Sequence, residues 1–195
     1  MQLQDKVRLQ NIHLWSVEDY HRMIENGLLS NADRVELLEG IVSHMSPKGV
    51  SHVITARWIA EQFREQLGEG FYLLTQDPIT LTEQRSEPEP VITIARGSMF
   101  DYTEHHPYPE DILLVIEVAD SSLEADKKIK MPIYAKAGIQ DYWVVDVRAK
   151  EITIYRQPVG DLYQEVQVVA GRDLLSPLAF PEINFQVEDL FPKGR

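Results

Sequence analysis

One acidic side chain interrupts the most apolar strand candidate of the chain. Residues 112–118 are apolar on both faces except at Glu117, which is typical of a central strand covered on both sides. Alternate residues of a strand share a face, so the face of Glu117 is expected to carry Leu113, Val115 and Ala119. A buried carboxylate needs a cation, a metal or a hydrogen-bond donor, because burying it alone is costly. Three interpretations stay open: a metal site, a structural salt bridge, and a side chain that reaches water.

A second group of polar residues follows the strand at helical spacing. Asp126, Lys130 and Tyr134 lie four residues apart, which stacks them along one face of a helix. An acid four residues before a lysine is also an ordinary surface pair, stabilising by about a few tenths of a kcal/mol. Here the helix directly follows the strand of Glu117 and must fold back over its end. We therefore expect Lys130 to approach the Glu117 carboxylate.

A proline divides this predicted helix, which covers residues 123–137 and stops at Gly138, a favourable helix end. Pro132 has no backbone N–H and a fixed φ. It therefore either begins a well-formed helix near Met131 or bends a longer one.

The remaining pattern predicts a mixed sheet with helices on its faces. Ser16 and the acids after it indicate a helix that ends near Gly27, and apolar spacing predicts another over residues 51–68. Glu39-Gly40 joins the two strands of a hairpin, residues 34–38 and 41–45. Further strands are predicted over residues 71–75, 79–82, 90–95, 141–147, 151–156 and 164–169, and a short turn within 185–191. This pattern defines an α/β or α+β sandwich.

Composition restricts the class of protein. The 195 residues suffice for one domain, or a domain with a small appendage, with a buried core. The absence of cysteine excludes disulfides and thiolate metal sites. No apolar run approaches the roughly 20 residues of a membrane span, and the first residues lack the apolar stretch of a secretory signal. We therefore expect a cytoplasmic protein without a membrane partner.

The net charge of −12 argues against tight, nonspecific binding of DNA. Such binding usually requires a basic surface, because lysines and arginines replace the counterions around the phosphates. Two arrangements would overcome the acidity. A carboxylate-lined site recruits divalent cations that reverse the local charge, and a dimer concentrates its basic residues along one groove.

Six short segments carry a family resemblance through their order and spacing. Three of them are Ile116-Glu-Val-Ala-Asp-Ser-Ser122, Asp126-x-x-x-Lys130-x-Pro-x-Tyr134-Ala-x-x-Gly138 and Asp141-Tyr-Trp-Val-Val-Asp146. Upstream lie Glu36-Leu-Leu-Glu-Gly40, then Met45-Ser-Pro47 followed by His52, and Ser86-Glu-Pro-Glu-Pro90. Together, over about residues 17–156, they resemble the Uma family of bacterial proteins described as endonucleases, within the PD-(D/E)XK superfamily.

The resemblance implies one α/β nuclease domain over residues 1–195, with a restriction-endonuclease-like mixed central sheet flanked by helices and extended by hairpins. Its core would cover residues 17–156, and residues 157–195 would add strands and a tail. It also implies hydrolysis of DNA phosphodiesters with Mg²⁺ or Mn²⁺, oxygen-preferring cations. Related nucleases often pair to cut both strands, so by analogy the resemblance implies a homodimer.

The resemblance also assigns roles to individual residues. Glu117 would be a metal ligand. In the parent motif a lysine lies two residues after this glutamate, a position that Ala119 occupies here; Lys130 would replace it from the following helix, oriented by Asp126. Glu36 would hold a metal-bound water from the opposite side.

One position departs from the superfamily pattern. The first acidic ligand should follow Pro90, where this sequence has Val91, and a valine cannot coordinate a cation. Glu89 shares the strand parity of Val91 but lies roughly 7 Å further along an extended chain. Either the metal site is rebuilt around Glu89, or the chain is an impaired nuclease. The alternative function is a catalytically inactive binding or assembly module with the nuclease fold.

His52 matches a position of the family and opens the predicted helix 51–68. A contact with phosphate or water and a role in helix capping are equally compatible with this position.

Overall fold

Six strands form the central sheet of the protein, whose computed structural model describes residues 12–30, 32–120, 123 and 126–193. Two earlier strands, β1 (Val35–Leu38) and β2 (Ile41–His44), form a separate antiparallel hairpin. The central sheet consists, in spatial order, of β3 (Phe71–Leu74), β4 (Ile92–Arg96), β5 (Ile112–Ala119), β6 (Asp141–Asp146), β7 (Glu151–Val159) and β8 (Leu162–Ala170). Only β5 and β6 pair in parallel; the other neighbours are antiparallel. The predicted mixed sheet is therefore confirmed.

Helices cover both faces of this sheet. The helices are α1 (Val17–Glu25), α2 (Val50–Arg64) and α3 (Met131–Lys136). On one face, Ile116 and Val118 of β5 belong to the same apolar cluster as Phe63 of α2. On the other face, Val115 and Ala119 share a cluster with residues of α3. All eight residues of β5 are buried, as its unbroken apolar sequence predicts for a strand covered on both sides.

One residue predicted to share the strand face of Glu117 lies on the opposite face. Leu113 belongs to the cluster on the α2 side, together with Leu114 rather than with Val115. The register between β4 and β5 shifts between Ile94 and Ala95, so that one extra residue of β5 lies opposite the partner strand. Such a bulge breaks the alternation of side chains, which the sequence pattern assumes throughout.

The predicted cap of α1 and the predicted hairpin turn are both confirmed. Ser16 caps α1, and Ser16 and Asp19 form a capping box. The hairpin turns at Glu39 and Gly40, which both have positive φ. A Cβ on Gly40 would lie 2.8 Å from Leu14 Cβ and 3.0 Å from the Trp15 carbonyl oxygen, so only glycine fits this turn. Helix α2 ends at Arg64, four residues before the predicted end.

The predicted strand over residues 79–82 is wrong. Leu81 forms only an isolated bridge with Ser86, and a 3₁₀ turn, Thr82–Gln84, lies between them. Arg85 closes this turn in the left-handed conformation. Ile79 and Leu81 are fully buried, so their apolar character reflects burial of a loop and not pairing in a sheet.

The predicted helix 123–137 has two parts within the described residues. Asp126–Lys130 forms a π-helical turn, and α3 follows with Pro132 in its first turn. Pro132 cannot donate the α-helical hydrogen bond to the carbonyl of residue 128, which is where the wider turn occurs. The helix ends before Gly138, whose φ is +77°. Residues 124 and 125 of the predicted segment lie outside the described residues, as do residues 121 and 122 before it.

The C-terminal residues extend the main sheet. Strand β7 continues past residue 156, where the predicted core ends, and β8 is the outer strand beside it. The tail forms a short strand pair, β9 (Leu174–Leu175) with β10 (Phe185–Gln186), and the 3₁₀ turn Val187–Leu190. Several of its apolar side chains join the cluster on the α2 side. Within the described residues, none of the helices has the length and apolarity needed to cross a membrane.

Candidate active site

Glu117 lies near the end of β5 and is 3% exposed. Its Oε1 accepts a hydrogen bond from Lys130 Nζ at 3.0 Å and another from the Tyr134 hydroxyl at 3.0 Å. Lys130 ends the π-helical turn and Tyr134 lies one turn later in α3. The fold therefore brings the lysine to the carboxylate, as the order of strand and helix predicted.

The hairpin supplies a second carboxylate to the same lysine. Glu36 of β1 is 6% exposed, and its Oε2 lies 3.1 Å from Lys130 Nζ. The same oxygen accepts a hydrogen bond from the backbone N–H of Glu89 at 3.2 Å. The Lys130 ammonium thus bridges two buried carboxylates that come from different sheets.

The two carboxylates hold the lysine in its charged form. Burial alone would lower the pKa of Lys130, but the negative charges of Glu117 and Glu36 outweigh it and raise the pKa above its ordinary value. Burial raises the pKa of Glu117, an effect that Lys130 partly offsets and Glu36 reinforces. At neutral pH the site therefore contains a stable ammonium group held between two buried carboxyl groups.

Asp126 is also buried beside this group, at 4% exposure. Burial lowers the pKa of Lys130. The negative charge of Asp126 raises this pKa, together with the charges of Glu117 and Glu36. Its backbone carbonyl accepts a hydrogen bond from the Tyr142 hydroxyl at 3.2 Å, which ties the π-helical turn to β6. The predicted cluster of acids around Lys130 is thus present in the structure, whereas the role of each acid stays a prediction.

These side chains line a cleft of about 300 Å³, here called the Glu117 cleft. Its walls include Glu36, Asp126 and Lys130, together with Glu89 and Val91. Val91 is 5% exposed and presents an apolar wall where an acidic ligand was expected. Glu89 is half-buried; burial raises its pKa, Lys48 partly offsets this and Glu36 adds to it.

The donor set suits a divalent cation only in part. Within the described residues, histidine, aspartate and glutamate side chains nowhere form a group of three that could hold a metal. Glu117 and Glu89 do line one cleft, and burial raises the pKa of each carboxyl group. Mg²⁺ is often held by one or two carboxylates, with water and substrate phosphates as its other ligands. The residues present therefore fit at most a weak site with two carboxylate ligands.

Tyr134 and Lys48 lie at the site although the sequence motifs predicted no role for either. Tyr134 was placed on the helix face of Lys130, but its hydrogen bond to Glu117 was not predicted, although the four-residue spacing signals it. Lys48 lines the cleft just before α2. His52 lies in the first turn of α2 and also lines the cleft. The capping interpretation is not supported, because Gly49 is the N-cap residue and no side chain makes a capping bond, whereas the contact with phosphate or water stays a prediction.

A larger cavity, about 870 Å³, lies beside α1 and shares Lys48 and Glu89 with the Glu117 cleft. In its wall, Glu87 is 3% exposed and its Oε2 lies 2.7 Å from His21 Nε2. The Thr80 hydroxyl donates to the same oxygen at 2.9 Å. This satisfied network accounts for the buried charge of Glu87. The concentration of acids around a lysine occurs in the smaller cleft, which we therefore take as the candidate site.

Comparison with known proteins places this chain in a protein family. The family model Uma2, described as "Putative restriction endonuclease", matches residues 17–188, and the chain belongs to this family. The resemblance drawn from the sequence motifs is confirmed.

Solved structures agree on the fold. Five solved chains match, among them a crystal structure described as "a putative nuclease belonging to DUF820" from Anabaena variabilis ATCC 29413. The two chains are 16% identical and superpose with a TM-score of 0.68, over 90% of this chain and 97% of the other. At this identity the likeness shows the fold alone. No curated protein matches the sequence of this chain.

Proposed function

We propose that this protein is a metal-dependent DNA endonuclease that hydrolyses phosphodiester bonds in the Glu117 cleft. One observation carries the proposal: a buried ammonium, Lys130 Nζ, lies 3.0 Å from Glu117 and 3.1 Å from Glu36 in an open cleft. Membership of the family described as "Putative restriction endonuclease" supports the reaction class. Buried clusters of acids around a lysine are expensive to maintain, which favours a catalytic role over a structural one.

Glu117 and Glu89 would hold Mg²⁺ or Mn²⁺. When bound, such a cation supplies a Lewis acid that lowers the pKa of an attacking water and neutralises charge on the phosphate. The Tyr134 hydroxyl and the Lys130 ammonium both donate to Glu117 Oε1, so they fix the orientation of this carboxylate. The same two contacts therefore also fix the position of the second carboxylate oxygen, Glu117 Oε2.

Lys130 would stabilise the negative charge that develops on the phosphate during attack. Its raised pKa keeps the amine protonated at neutral pH, so it cannot serve as the general base. A preformed cation in a partly dry cleft requires little reorganisation when charge develops. Lys130 therefore acts as a fixed positive charge.

Glu36 would position Lys130 from the side opposite Glu117. Its Oε2 forms an ion pair with Lys130 and accepts a hydrogen bond from the Glu89 backbone N–H, which leaves Oε1 to accept a hydrogen bond from the attacking water. Asp126 would hold the ammonium in place through its charge.

Val91 predicts slow cleavage. A buried valine lines the cleft where an acidic ligand was expected, so the cation has one carboxylate fewer. The net charge of −12 further predicts weak affinity for DNA. The homodimer that the family resemblance implies belongs to the same proposal, and light scattering of the purified protein would test it.

The test is cleavage of supercoiled plasmid with Mg²⁺ or Mn²⁺. We expect nicking by the wild type, and its loss in Glu117→Gln and Lys130→Met. Glu83→Gln is the matched control, because Glu83 is exposed in the turn Thr82–Gln84, away from the cleft. Nicking that persists unchanged in both site variants would refute the proposal. A binding or assembly module would show no cleavage by the wild type or by Val91→Asp.

A further inference from the structure

We propose that the N-terminus of α2, together with His52 and Lys48, is a phosphate-binding subsite on the wall of the Glu117 cleft. The assignment of this phosphate to the DNA backbone rests on the proposed nuclease function. The phosphate subsite itself does not depend on that function.

The first turn of α2 offers backbone donors to the cleft. The helix has fifteen residues and begins after Gly49, which makes no side-chain capping bond, and its first turn contains no acidic residue. The first intrahelical bond is donated by Val53 to Gly49, so the N–H groups of residues 50–52 have no helical acceptor. Such an uncapped helix start attracts anions through its free N–H groups and its dipole. Gly49 itself lines the cleft.

His52 provides an independent indication of a ligand. Its side chain is 7% exposed, and its Nδ1 is buried with no hydrogen-bond partner among the described residues. Burying a bare lone pair costs less than burying an unpaired N–H, so the ring proton belongs on Nε2. Burial lowers the pKa of His52, and the charge of Lys48 lowers it further against the opposing effect of Asp120. The ring lines the cleft with Nε2–H as its donor, and no hydrogen bond of this ring occurs within the described residues.

Lys48 contributes positive charge to the same wall. It is half-buried, and its Nζ donates to Gln76 Oε1 at 2.6 Å. Burial lowers the pKa of Lys48, and the nearby charge of Arg34 lowers it further. The negative charges of Glu89 and Glu117 raise this pKa, but by less than it is lowered. Additional negative charge beside Lys48 would therefore be stabilising.

The acid nearest to this helix start is already paired. Asp120 Oδ2 lies 3.1 Å from the position that a Cβ on Gly49 would occupy. Its Oδ1 accepts a hydrogen bond from Arg148 Nε at 2.7 Å, so the carboxylate charge is balanced. The glycine at residue 49 keeps this corner of the cleft free of a side chain.

The ligand that fits these donors is a phosphate group. Gly49 at the start of α2, the His52 imidazole and Lys48 line the same cleft, and phosphate offers several acceptor oxygens with negative charge to such donors. The wall faces the cleft that contains Glu117 and Lys130. In the proposed reaction the bound group is a phosphate of the DNA backbone, and the subsite positions it for attack.

The test is an NMR titration of the metal-free protein with inorganic phosphate, at constant ionic strength set by chloride. We expect saturable shifts of the amides of residues 50–53 in the wild type. His52→Leu should bind phosphate about tenfold more weakly, as expected for loss of one charged hydrogen bond. His52→Gln, which keeps a donor near the position of Nε2, should recover most of the affinity. Lys193→Gln is the control, because Lys193 is exposed and forms an ion pair with Asp189.

Lys48→Met tests the subsite without altering the helix, and we expect weaker phosphate binding there too. Unchanged affinity in both His52→Leu and Lys48→Met, or shifts confined to other residues, would overturn the proposal. A duplex oligonucleotide added to the phosphate complex should displace the phosphate. If phosphate binds but the oligonucleotide does not displace it, the assignment of this phosphate to the DNA backbone is overturned. Loss of plasmid cleavage alone would count against the nuclease and not against the subsite, because this titration uses neither metal nor turnover.

Discussion

The Lys130 ammonium lies 3.0 Å from the Glu117 carboxylate, although thirteen residues separate them in sequence. The contact connects the central strand to the segment that crosses over to its parallel neighbour β6. It places a positive charge at the end of a strand that is otherwise apolar. Both groups are nearly inaccessible, with 11% exposure of the lysine side chain and 4% of the glutamate. The properties of the site follow from this burial.

Lys130→Met should destabilise the protein strongly. Removal of the lysine leaves Glu117 and Glu36 buried without a cation, which typically costs about 3–5 kcal/mol. Adding Glu117→Gln to this variant should recover part of the loss, because one uncompensated charge disappears. Urea unfolding of the single and double variants measures both effects.

Lys136→Met is the matched control for that series. Lys136 forms a surface ion pair with Glu39 at 2.6 Å, with side-chain exposures of 42% and 52%. Its loss should cost less than about 1 kcal/mol. Similar costs for Lys130→Met and Lys136→Met would contradict the importance of burial at the site.

Tyr134→Phe should lower the free energy of unfolding by about 1–3 kcal/mol. The substitution removes one of the two donors to Glu117 Oε1 and leaves a buried carboxylate oxygen less satisfied. Chemical denaturation compares it with Tyr155→Phe, which alters a buried tyrosine of the same aromatic cluster. No hydrogen bond of the Tyr155 hydroxyl occurs within the described residues. An equal cost in both variants would show that the contact to Glu117 contributes little.

Stability should depend on pH through Glu117. Burial, partly offset by Lys130, raises the pKa of Glu117 above that of an unfolded glutamate, which is about 4.3. The native state therefore binds the Glu117 carboxyl proton more tightly than the unfolded state does. The stability that this proton contributes is lost as the pH rises from about 4.3 through the native pKa. In Glu117→Gln this contribution is absent at every pH.

Urea unfolding between about pH 4.5 and 7.5 measures this effect. The free energy of unfolding of the wild type, taken relative to Glu117→Gln, should decrease across the range. Glu83→Gln, at an exposed position, should follow the wild type. A difference between wild type and Glu117→Gln that stays constant with pH would contradict the raised pKa.

Val91→Asp should increase plasmid nicking and the affinity for Mn²⁺. The substitution adds a carboxylate to the wall that Glu117 and Glu89 share. Because Val91 is 5% exposed, the variant should also be less stable without metal and recover stability when Mn²⁺ is added. Calorimetry and thermal unfolding with and without Mn²⁺ report on these effects.

Val91→Asn is the control for charge at that position, since it has nearly the same shape without the negative charge. It should bind Mn²⁺ more weakly than Val91→Asp and leave nicking close to the wild-type rate. Equal behaviour of the aspartate and asparagine variants would show that Val91 does not occupy a ligand position.

Patterns with a local cause predicted their elements well. The capping residues Ser16 and Asp19, the turn at Glu39-Gly40 and the helix end at Gly138 each depend on only a few neighbouring residues, and all appear in the structure. The approach of Lys130 to Glu117 was also predictable, because the chain must return over the end of β5 to form the parallel strand β6.

Features that depend on distant parts of the chain were not predictable. Ile79 and Leu81 read as a strand, yet their burial results from packing of a loop under the hairpin and α3. The displacement of Leu113 arises from a bulge against β4, which no pattern within β5 reveals. The bridge from Lys130 to Glu36 joins residues from two sheets, so only the family resemblance brought Glu36 into the site.

The hairpin that supplies Glu36 has a mechanical consequence. Strand β5 is hydrogen-bonded on both sides, by β4 and β6, so the backbone of Glu117 has little freedom to move. The hairpin belongs to its own two-stranded sheet and connects to the loop before β4 through backbone bonds of Leu37 with Glu87 and of Gly40 with Arg85. Glu36 thus reaches the site from a second sheet, so its position relative to Glu117 depends on these loop contacts and on the Lys130 ammonium that both carboxylates share.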